Sequence, residues 1–285
     1  MDGNNIKCTI EEMHKVQLGL LKEFKRVCNK NGIRYYIACG TCLGAVRNKN
    51  FIPWDHDADV FIYANDIEKL LDVKDEFEDG YFLQGRETDL EFNYSIYRLR
   101  DSRTTCIEKC DKNLDINHGF CIDIYPLYYV PTNRILLHIN IVRSYIYRIC
   151  IAGRVPINHG NILKLCSYIV LAIYSGKRRE KKICSCKKHL MKYQNTNKVL
   201  TYFGLDITPT SAITYDAEWF GKPSVLEFAS TEFNGPTDPE AYLTMKYGDY
   251  MKLPPVEERT PNFNELEYAD VNVEYIKFKG VLYKK

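Results

Sequence analysis

Three aspartates recur at every second position of the chain, as Asp55, Asp57 and Asp59. Because successive side chains of an extended strand point to opposite faces, this spacing predicts three carboxylates on one face, with Cα atoms about 7 Å apart. Like charges in that arrangement repel one another unless water or a cation separates them. The apolar residues 60–62 indicate a strand that enters a core, so the pattern predicts a hard divalent ion held by oxygen ligands. The alternative is a polar turn whose aspartates cap backbone groups.

A turn of small residues precedes these aspartates. Residues 33–38 read IRYYIA and predict a short strand, and Gly40 and Thr41 end it. The glycine allows a sharp turn and a close approach to a ligand, while Thr41 offers a hydroxyl where a short helix over residues 43–46 begins. Since helix starts attract anions, we predict phosphate contacts there. Arg47, at the end of that helix, is a further phosphate candidate, with a solvated arginine as the alternative.

A fourth acidic residue, Asp123, is the one charge in the apolar, strand-like run over residues 120–125. A lone buried carboxylate is costly, so Asp123 either completes the cation site or pairs with an arginine in a structural role. A second predicted strand over residues 92–100 places Arg98 and Arg100 on one face. These arginines are candidates for phosphate or glycan contact, with exposed cross-strand pairing as the alternative.

The composition excludes several classes of protein. The 285 residues are 45% hydrophobic and 27% charged with a formal net charge of +2, and no basic cluster or tail calls for nucleic acid. The opening residues 1–8 are polar, so we expect no signal peptide and a cytoplasmic location. Eleven cysteines are then reduced thiols rather than a disulfide framework. Cys39 and Cys42 lack a second pair at zinc-site spacing and are interpreted as packing residues.

The elements around these residues include a packing helix over residues 10–28 and a helical insertion over residues 131–197. No acidic residue occurs between Pro131 and Gly176, although cations do. The longest apolar run there covers residues 166–174, well below the roughly 20 residues of a membrane span. Two interpretations remain open. The insertion either covers the catalytic core or lies as an amphipathic hairpin on an anionic membrane surface.

Three segments carry a resemblance to a known family. Residues 40–60 read GTCLGAVRNKNFIPWDHDADV, residues 119–127 read GFCIDIYPL, and residues 247–251 read YGDYM. Together they resemble the LicD family of phosphocholine transferases, which is related to the fukutin-type phosphoribitol transferases, over about residues 10–260. One departure is that many members carry a histidine after the third segment, where residues 260–263 of this chain read TPNF.

The resemblance implies an α+β fold, with a nucleotidyltransferase-like mixed sheet, flanking helices and the helical insertion, in a single catalytic domain over residues 1–285. It implies transfer of phosphocholine, or of a similar phospho-alcohol, from a CDP-activated donor to a hydroxyl of a cell-surface glycan. Lipopolysaccharide, teichoic acid or capsule would be the acceptor, a lipid-linked glycan included, and CMP would leave. The head group stays open among choline, ribitol, glycerol and an aminoalkyl phosphonate.

The same resemblance assigns roles to residues. Mg²⁺ or Mn²⁺ would be held by Asp57, Asp59 and Asp123, with Asp55 as a weaker candidate, and Asp123 would also be the general base. The residues predicted to bind substrate are Gly40, Thr41, Arg47, Trp54 and Arg98. Among them Trp54 is a candidate aromatic wall for a trimethylammonium group.

Two alternatives use the same residues. A nucleotidyltransferase would have its nucleophile attack the α-phosphorus and would release pyrophosphate, and the carboxylate pattern allows this chemistry. A membrane-associated, non-catalytic binding module would retain the fold alone. The four acids Asp55, Asp57, Asp59 and Asp123 favour an active enzyme over the second alternative.

Overall fold

A computed structural model describes residues 5–155, 161–202, 207–208 and 212–284. The chain divides into two units, of which the first comprises residues 1–92, 96–125 and 219–285, and the second residues 93–95 and 126–218. The predicted insertion over residues 131–197 falls within the second unit. That the whole chain acts as a single catalytic domain stays a prediction.

The described residues form helices and strands in alternation along much of the chain. The α-helices are α1 (Ile10–Lys30), α2 (Cys39–Asn48), α3 (Ile67–Asp72), α4 (Arg134–Ala152), α5 (Asn161–Ile173), α6 (Gly176–Leu190) and α7 (Pro239–Tyr247). The strands are β1 (Tyr35–Ile37), β2 (Asp59–Tyr63), β3 (Tyr81–Gln84), β4 (Tyr97–Asp101), β5 (Thr105–Glu108), β6 (Phe120–Val130), β7 (Lys198–Thr201), β8 (Tyr215–Asp216), β9 (Ser224–Phe228), β10 (Thr231–Gly235) and β11 (Leu266–Asp270). The predicted α+β fold class is confirmed.

The sheet of the first unit has the strand order β1-β2-β6-β4-β3, to which β6 contributes residues 120–125. Every side chain of β2 is buried, as the apolar continuation of the aspartate motif predicts. Two antiparallel ladders, β5 with β11 and β9 with β10, complete the strands of this unit. The sheet places the start of β2 beside the middle of β6, where the acidic residues of the two motifs meet.

Helix α1 confirms the packing helix predicted over residues 10–28. Its start is fixed by a capping box, in which the Glu12 N–H donates to Thr9 Oγ1 at 3.3 Å and the Thr9 N–H donates to Glu12 Oε2 at 2.8 Å. Its apolar stripe, including Leu20, Phe24 and Val27, is fully buried. This helix also presents two polar side chains to the aspartate loop.

Helix α2 begins earlier than predicted. It starts at Cys39 rather than near residue 43, so Gly40 and Thr41 belong to its first turn. Cys39 enters the helix at a φ of 47°, and its N–H donates to Tyr242 Oη at 3.1 Å. The helix ends at a left-handed Lys49.

Three strands are shorter than the pattern predicts. Strand β1 covers only Tyr35–Ile37 of the strand predicted over residues 33–38. Strand β2 begins at Asp59, so Asp55 and Asp57 lie in the preceding loop rather than on a shared strand face. Strand β4 covers the end of the segment predicted over residues 92–100. Helix α6 extends through the basic residues after position 182 as far as Leu190.

The second unit joins residues 127–130 of β6 to β7, and β7 to β8, in antiparallel pairing. Helix α4 packs against α5 and α6. By length and composition alone α4 could cross a membrane, since it has 19 residues and an 18-residue window with a mean hydropathy of 1.3, of which 39% is buried. Core helices pass the same test. The longest apolar run in the insertion, residues 166–174, lies almost entirely in α5, so it did not point to α4.

The packing of α2 can be tested by replacing one glycine in this helix and, as a control, one glycine in the preceding helix α1. A Cβ on Gly44 would lie 2.5 Å from the Asn50 carbonyl oxygen, whereas a Cβ on Gly19 in α1 would meet only Tyr81 Oη at 3.4 Å. We expect Gly44→Ala to lower the free energy of unfolding by about 1–3 kcal/mol through steric strain. Gly19→Ala should leave it unchanged or raise it by up to about 1 kcal/mol through helix propensity. Urea unfolding followed by circular dichroism measures both, and equal stability of the two variants would contradict this packing.

Candidate functional site

The loop that carries Asp55 is held from both sides. From α1, His14 Nε2 hydrogen bonds with the Asp55 carbonyl oxygen at 2.6 Å, and Gln17 Nε2 donates to the His56 carbonyl oxygen at 2.7 Å. These two carbonyls therefore bind side chains of α1, in the loop that precedes the start of β2 at Asp59. From α2, Gly40 packs directly on the Asp55 carboxylate, because a Cβ at this position would overlap Oδ2. The glycine is required by this close approach.

Asp59 is fixed at the start of β2 by backbone and side-chain contacts. Its N–H donates to Thr41 Oγ1 at 2.8 Å, and its carbonyl oxygen accepts from the Ala38 N–H at 2.9 Å. Its side chain is buried, and Oδ1 has no hydrogen-bond partner among the residues that the structure describes. Thr41 is itself buried, so its hydroxyl positions Asp59 instead of facing a phosphate as the sequence suggested.

Burial and the neighbouring charge of Asp57 raise the proton affinity of Asp55 and Asp59. Burial raises the pKa of Asp55 to about 8, and the neighbouring charge of Asp57 adds to this rise. Burial also raises the pKa of Asp59, again with help from Asp57, while Lys246 opposes it. Asp57 is the most exposed of the three. A divalent cation would balance these buried carboxylates and give Asp59 Oδ1 a partner, so the donor set fits a metal of the Mg²⁺ type.

Asp123 lies next to this loop on β6, since its N–H donates to the Ala58 carbonyl oxygen at 2.8 Å. Its cross-strand neighbour on β4 is Arg98, whose Nε donates to Asp123 Oδ1 at 2.8 Å. Arg98 Nη1 donates to Glu108 Oε1 at 2.8 Å, and Tyr125 Oη donates to Asp123 Oδ2 at 3.1 Å. Of the two alternatives for Asp123, the arginine pair is therefore present, and it lies beside the aspartate cluster.

Arg98 is buried. The sequence had instead suggested a side chain that contacts the substrate. Burial alone would raise the pKa of Glu108, but the charges of Arg98 and Arg100 outweigh it and hold that pKa below its usual value. Burial raises the pKa of Asp123 despite the same arginine. The charges of the two arginines thus outweigh burial at Glu108 but not at Asp123. Arg100 is also committed internally, because it donates to Gln84 and to the Gly119 carbonyl oxygen.

A second acidic group was missed by the sequence reasoning. The ligand atoms of Glu108, Cys110 and Asp111 all lie within 4.8 Å of one another, at the end of β5 and in the turn after it. The only sequence signal for this group is the close spacing of the three residues. It is a poorer cation site than the aspartate loop, because Arg98 lies 2.8 Å from Glu108 and 4.0 Å from Asp111.

Arg47 and Trp54, the remaining predicted substrate residues, line an open cavity of about 420 Å³ at the far end of α2. The other lining residues come from α2, from the loop before the aspartates and from the segment after α7; they are Leu43, Ile52, Tyr247, Asp249, Tyr250, Lys252, Leu253, Pro254 and Pro255.

Beside the aspartate loop, Phe263 packs edge-on against His56. The departure from the LicD pattern over residues 260–263 therefore reaches the vicinity of the site.

Replacing Arg98 tests whether it balances the buried carboxylates. We expect Arg98→Met to lower the free energy of unfolding by about 3–5 kcal/mol near pH 7, because Asp123 and Glu108 lose their cation. Without the arginine both folded-state pKa values rise above the unfolded ones, so the lost stability should return in part as the pH falls to about 5. Lys69→Met, which breaks an exposed ion pair with Asp66, should cost less than about 1 kcal/mol at either pH. Denaturant unfolding at both pH values decides, and a loss independent of pH would contradict this role.

Comparison with known proteins agrees with the geometry. A family model described as "LicD/FKTN/FKRP, nucleotidyltransferase domain" matches residues 32–137, which contain the aspartate loop, Arg98 and Asp123. The chain is 27% identical to the lipopolysaccharide cholinephosphotransferase LicD of Haemophilus influenzae over 281 residues, which are 92% of this chain and 98% of that protein. It is 47% identical to the human ribitol 5-phosphate transferase FKRP over 36 residues, which are 13% of this chain and 7% of that protein. Residues 32–137 therefore resemble the nucleotidyltransferase domain of the LicD family, and nearly the whole chain is similar to one LicD protein.

Proposed function

We propose that this protein transfers a phosphorylated alcohol, phosphocholine or a close analogue, from a CDP-activated donor to a hydroxyl of a cell-surface glycan. The observation that carries the proposal is the aspartate cluster of Asp55, Asp57 and Asp59 beside Asp123, on a LicD-type domain. The names of the two relatives support it, since one acts as a cholinephosphotransferase on lipopolysaccharide and the other as a ribitol 5-phosphate transferase.

The cofactor we propose is Mg²⁺, or Mn²⁺ in its place. Asp57 and Asp59 would hold the ion. Asp55 lies in the same loop, and Asp123 lies beside it on β6. The fit rests on the unpartnered Asp59 Oδ1 and on carboxyls whose pKa is raised by burial and by one another. When bound, the ion would neutralise charge on the donor's pyrophosphate and on the departing CMP.

The chain's own residues would position the reactants and accept the proton. Arg98 binds Oδ1 of Asp123 and so leaves Oδ2, which now accepts from Tyr125, as the atom for the acceptor's proton. Its raised pKa makes Asp123 a better base than an ordinary aspartate. The acceptor oxygen then bonds to the phosphorus that carries the head group, the bond from that phosphorus to CMP breaks, and the proton moves to Asp123. Gly40 and Thr41 act through Asp55 and Asp59, which they position.

The first test of this function removes one exposed carboxylate. Asp57→Asn should lower CMP release from CDP-choline by about a hundredfold or more, because the charge that holds the cation is reduced. The fold should persist, since Asp57 is exposed. The matched control is Asp66→Asn, an aspartate at the start of α3 that should retain activity. Mass spectrometry of CMP and of the modified glycan measures transfer, and near-normal rates at saturating Mg²⁺ would refute the role of Asp57.

The opposing chemistry has its own assay. A nucleotidyltransferase using the same carboxylates would convert CTP and phosphocholine to CDP-choline and pyrophosphate without any glycan. Acceptor-independent pyrophosphate release would replace the transferase proposal by this one. We expect CMP release that depends on a glycan acceptor instead.

We further propose that the second unit docks on the anionic, cytoplasmic face of a membrane, where a lipid-linked glycan would be reached. Helices α4 and α5 expose large apolar side chains at helical spacing. On α4 these are Ile135, Leu136, Ile139 and Val142, and on α5 they are Leu165, Tyr168, Ile169 and Ile173. The exposed cations of the adjoining α6 include Lys177, Arg178 and Lys181. Apolar faces beside cations are what an anionic bilayer surface binds.

Vesicle sedimentation tests this surface. The protein should pellet with vesicles that contain phosphatidylserine, less so as salt rises, because screening weakens the attraction to anionic lipid. The double variant Ile135→Ser/Ile169→Ser should reduce the bound fraction by at least about tenfold, since two apolar side chains no longer insert. The control Val225→Ser/Val256→Ser removes equally exposed side chains from the first unit and should bind normally. Equal recovery in the supernatant with and without anionic vesicles would contradict docking.

A further inference from the structure

We infer that the 420 Å³ cavity at the end of α2 binds the nucleoside monophosphate half of the donor, and not its alcohol head group. The inference rests on the proposed function and adds the place and the orientation of the donor. It also gives Trp54 a different role from the choline wall that the sequence suggested.

Three chain connections place this cavity beside the aspartate cluster. Trp54 directly precedes Asp55. Helix α2 packs on Asp55 at Gly40 and reaches the cavity at Arg47, seven residues or about 10 Å along its axis. Lys246, whose charge acts on Asp59, directly precedes the lining residue Tyr247. A donor with its pyrophosphate at the aspartates can therefore extend its nucleoside into the cavity.

The charges around the cavity favour an anionic ligand. Arg47 and Lys252 line it against a single carboxylate, Asp249. Burial and the nearby charge of Arg259 lower the pKa of Arg47, so Arg259 is a third cation near the cavity, while the carboxylates of Glu240 and Asp238 act on Tyr250. The Arg47 side chain is held in place by Nη1, which donates to the Tyr250 carbonyl oxygen at 3.3 Å. An oriented guanidinium near further cations suits a phosphate.

The shape and the side chains suit a planar base. Trp54, Tyr247 and Tyr250 supply aromatic surface, while Leu43 and Ile52 supply apolar contacts. The cavity volume lies within the range of small-molecule sites, and stacking of one base on an aromatic side chain is worth about 1–3 kcal/mol. Every base has a face that can stack in this way.

A quaternary ammonium group would also bind aromatic faces, but it needs an environment without competing cations. Among the residues that line the cavity, Arg47 and Lys252 outnumber Asp249, so a trimethylammonium group is less favoured there than an anionic phosphate. In addition, Lys246 Nζ already lies 5.8 Å from the centre of the Tyr247 ring. The same cations attract the CMP half of the donor.

Tryptophan fluorescence can separate these two occupants, because Trp54 and Trp219 are the two tryptophans of the chain. In Trp219→Phe the emission comes from Trp54 alone, and CMP should quench it at concentrations where phosphocholine does not. In the reciprocal variant Trp54→Phe, CMP should produce no quenching, which keeps the test valid if Trp219→Phe fails to fold. Quenching by phosphocholine and not by CMP would overturn the inference.

The Arg47→Gln variant adds a second readout. It should weaken CMP binding about ten- to hundredfold and raise the KM for CDP-choline by the same factor, with the KM for the acceptor unchanged. The control Lys22→Gln removes an exposed cation from α1 and should bind CMP normally. Transfer that proceeds with CMP affinity unaltered in Arg47→Gln would refute the inference alone. CMP quenching of Trp54 without any transfer would support the nucleotide site and refute the proposed function.

Discussion

Repulsion among carboxylates that are drawn out of water is the constraint on which the first unit depends. Asp55, Asp57 and Asp59 lie beside Asp123, and the structure balances their charges unequally. Arg98 binds Asp123 on one side of the group, whereas the buried Asp59 Oδ1 has no hydrogen-bond partner in the described part of the chain. Contacts from α1 and α2 hold the loop against this repulsion, so the energy of those packing contacts maintains an arrangement that is unfavourable without a cation.

Sequence reasoning found the chemistry of the site because the chemistry lies in residue types at short spacing. The alternation of Asp55, Asp57 and Asp59, and the lone charge of Asp123 in an apolar strand, were sufficient to predict carboxylates near one another. The exact elements were not. Strand β2 begins only at Asp59, after a loop in which His14 and Gln17 bind the carbonyls of residues 55 and 56. These contacts join residues about 40 positions apart, so no local sequence pattern predicts them.

Burial of charge was the least predictable property. Arg98 on an alternating strand suggested a solvent-facing cation, yet cross-strand pairing with Asp123 and the approach of Glu108 place it inside. The pairing of Glu108 with Arg98 could not be predicted either, because it arises from the fold and not from the neighbours of Glu108 in the chain. Thr41 likewise shows how a residue type suited to ligand contact can serve the backbone of another residue, Asp59.

The close approach of Gly40 to Asp55 restricts how this protein can be made more heat-resistant. Helices are commonly strengthened by exchanging glycine for alanine, a route that recurs in laboratory evolution. In the first turn of α2 that exchange would put a methyl group into the carboxylate of Asp55 and displace a residue of the aspartate cluster. Selection for thermostability should therefore leave position 40 untouched and accumulate its substitutions in parts of the chain that do not touch the acidic loop.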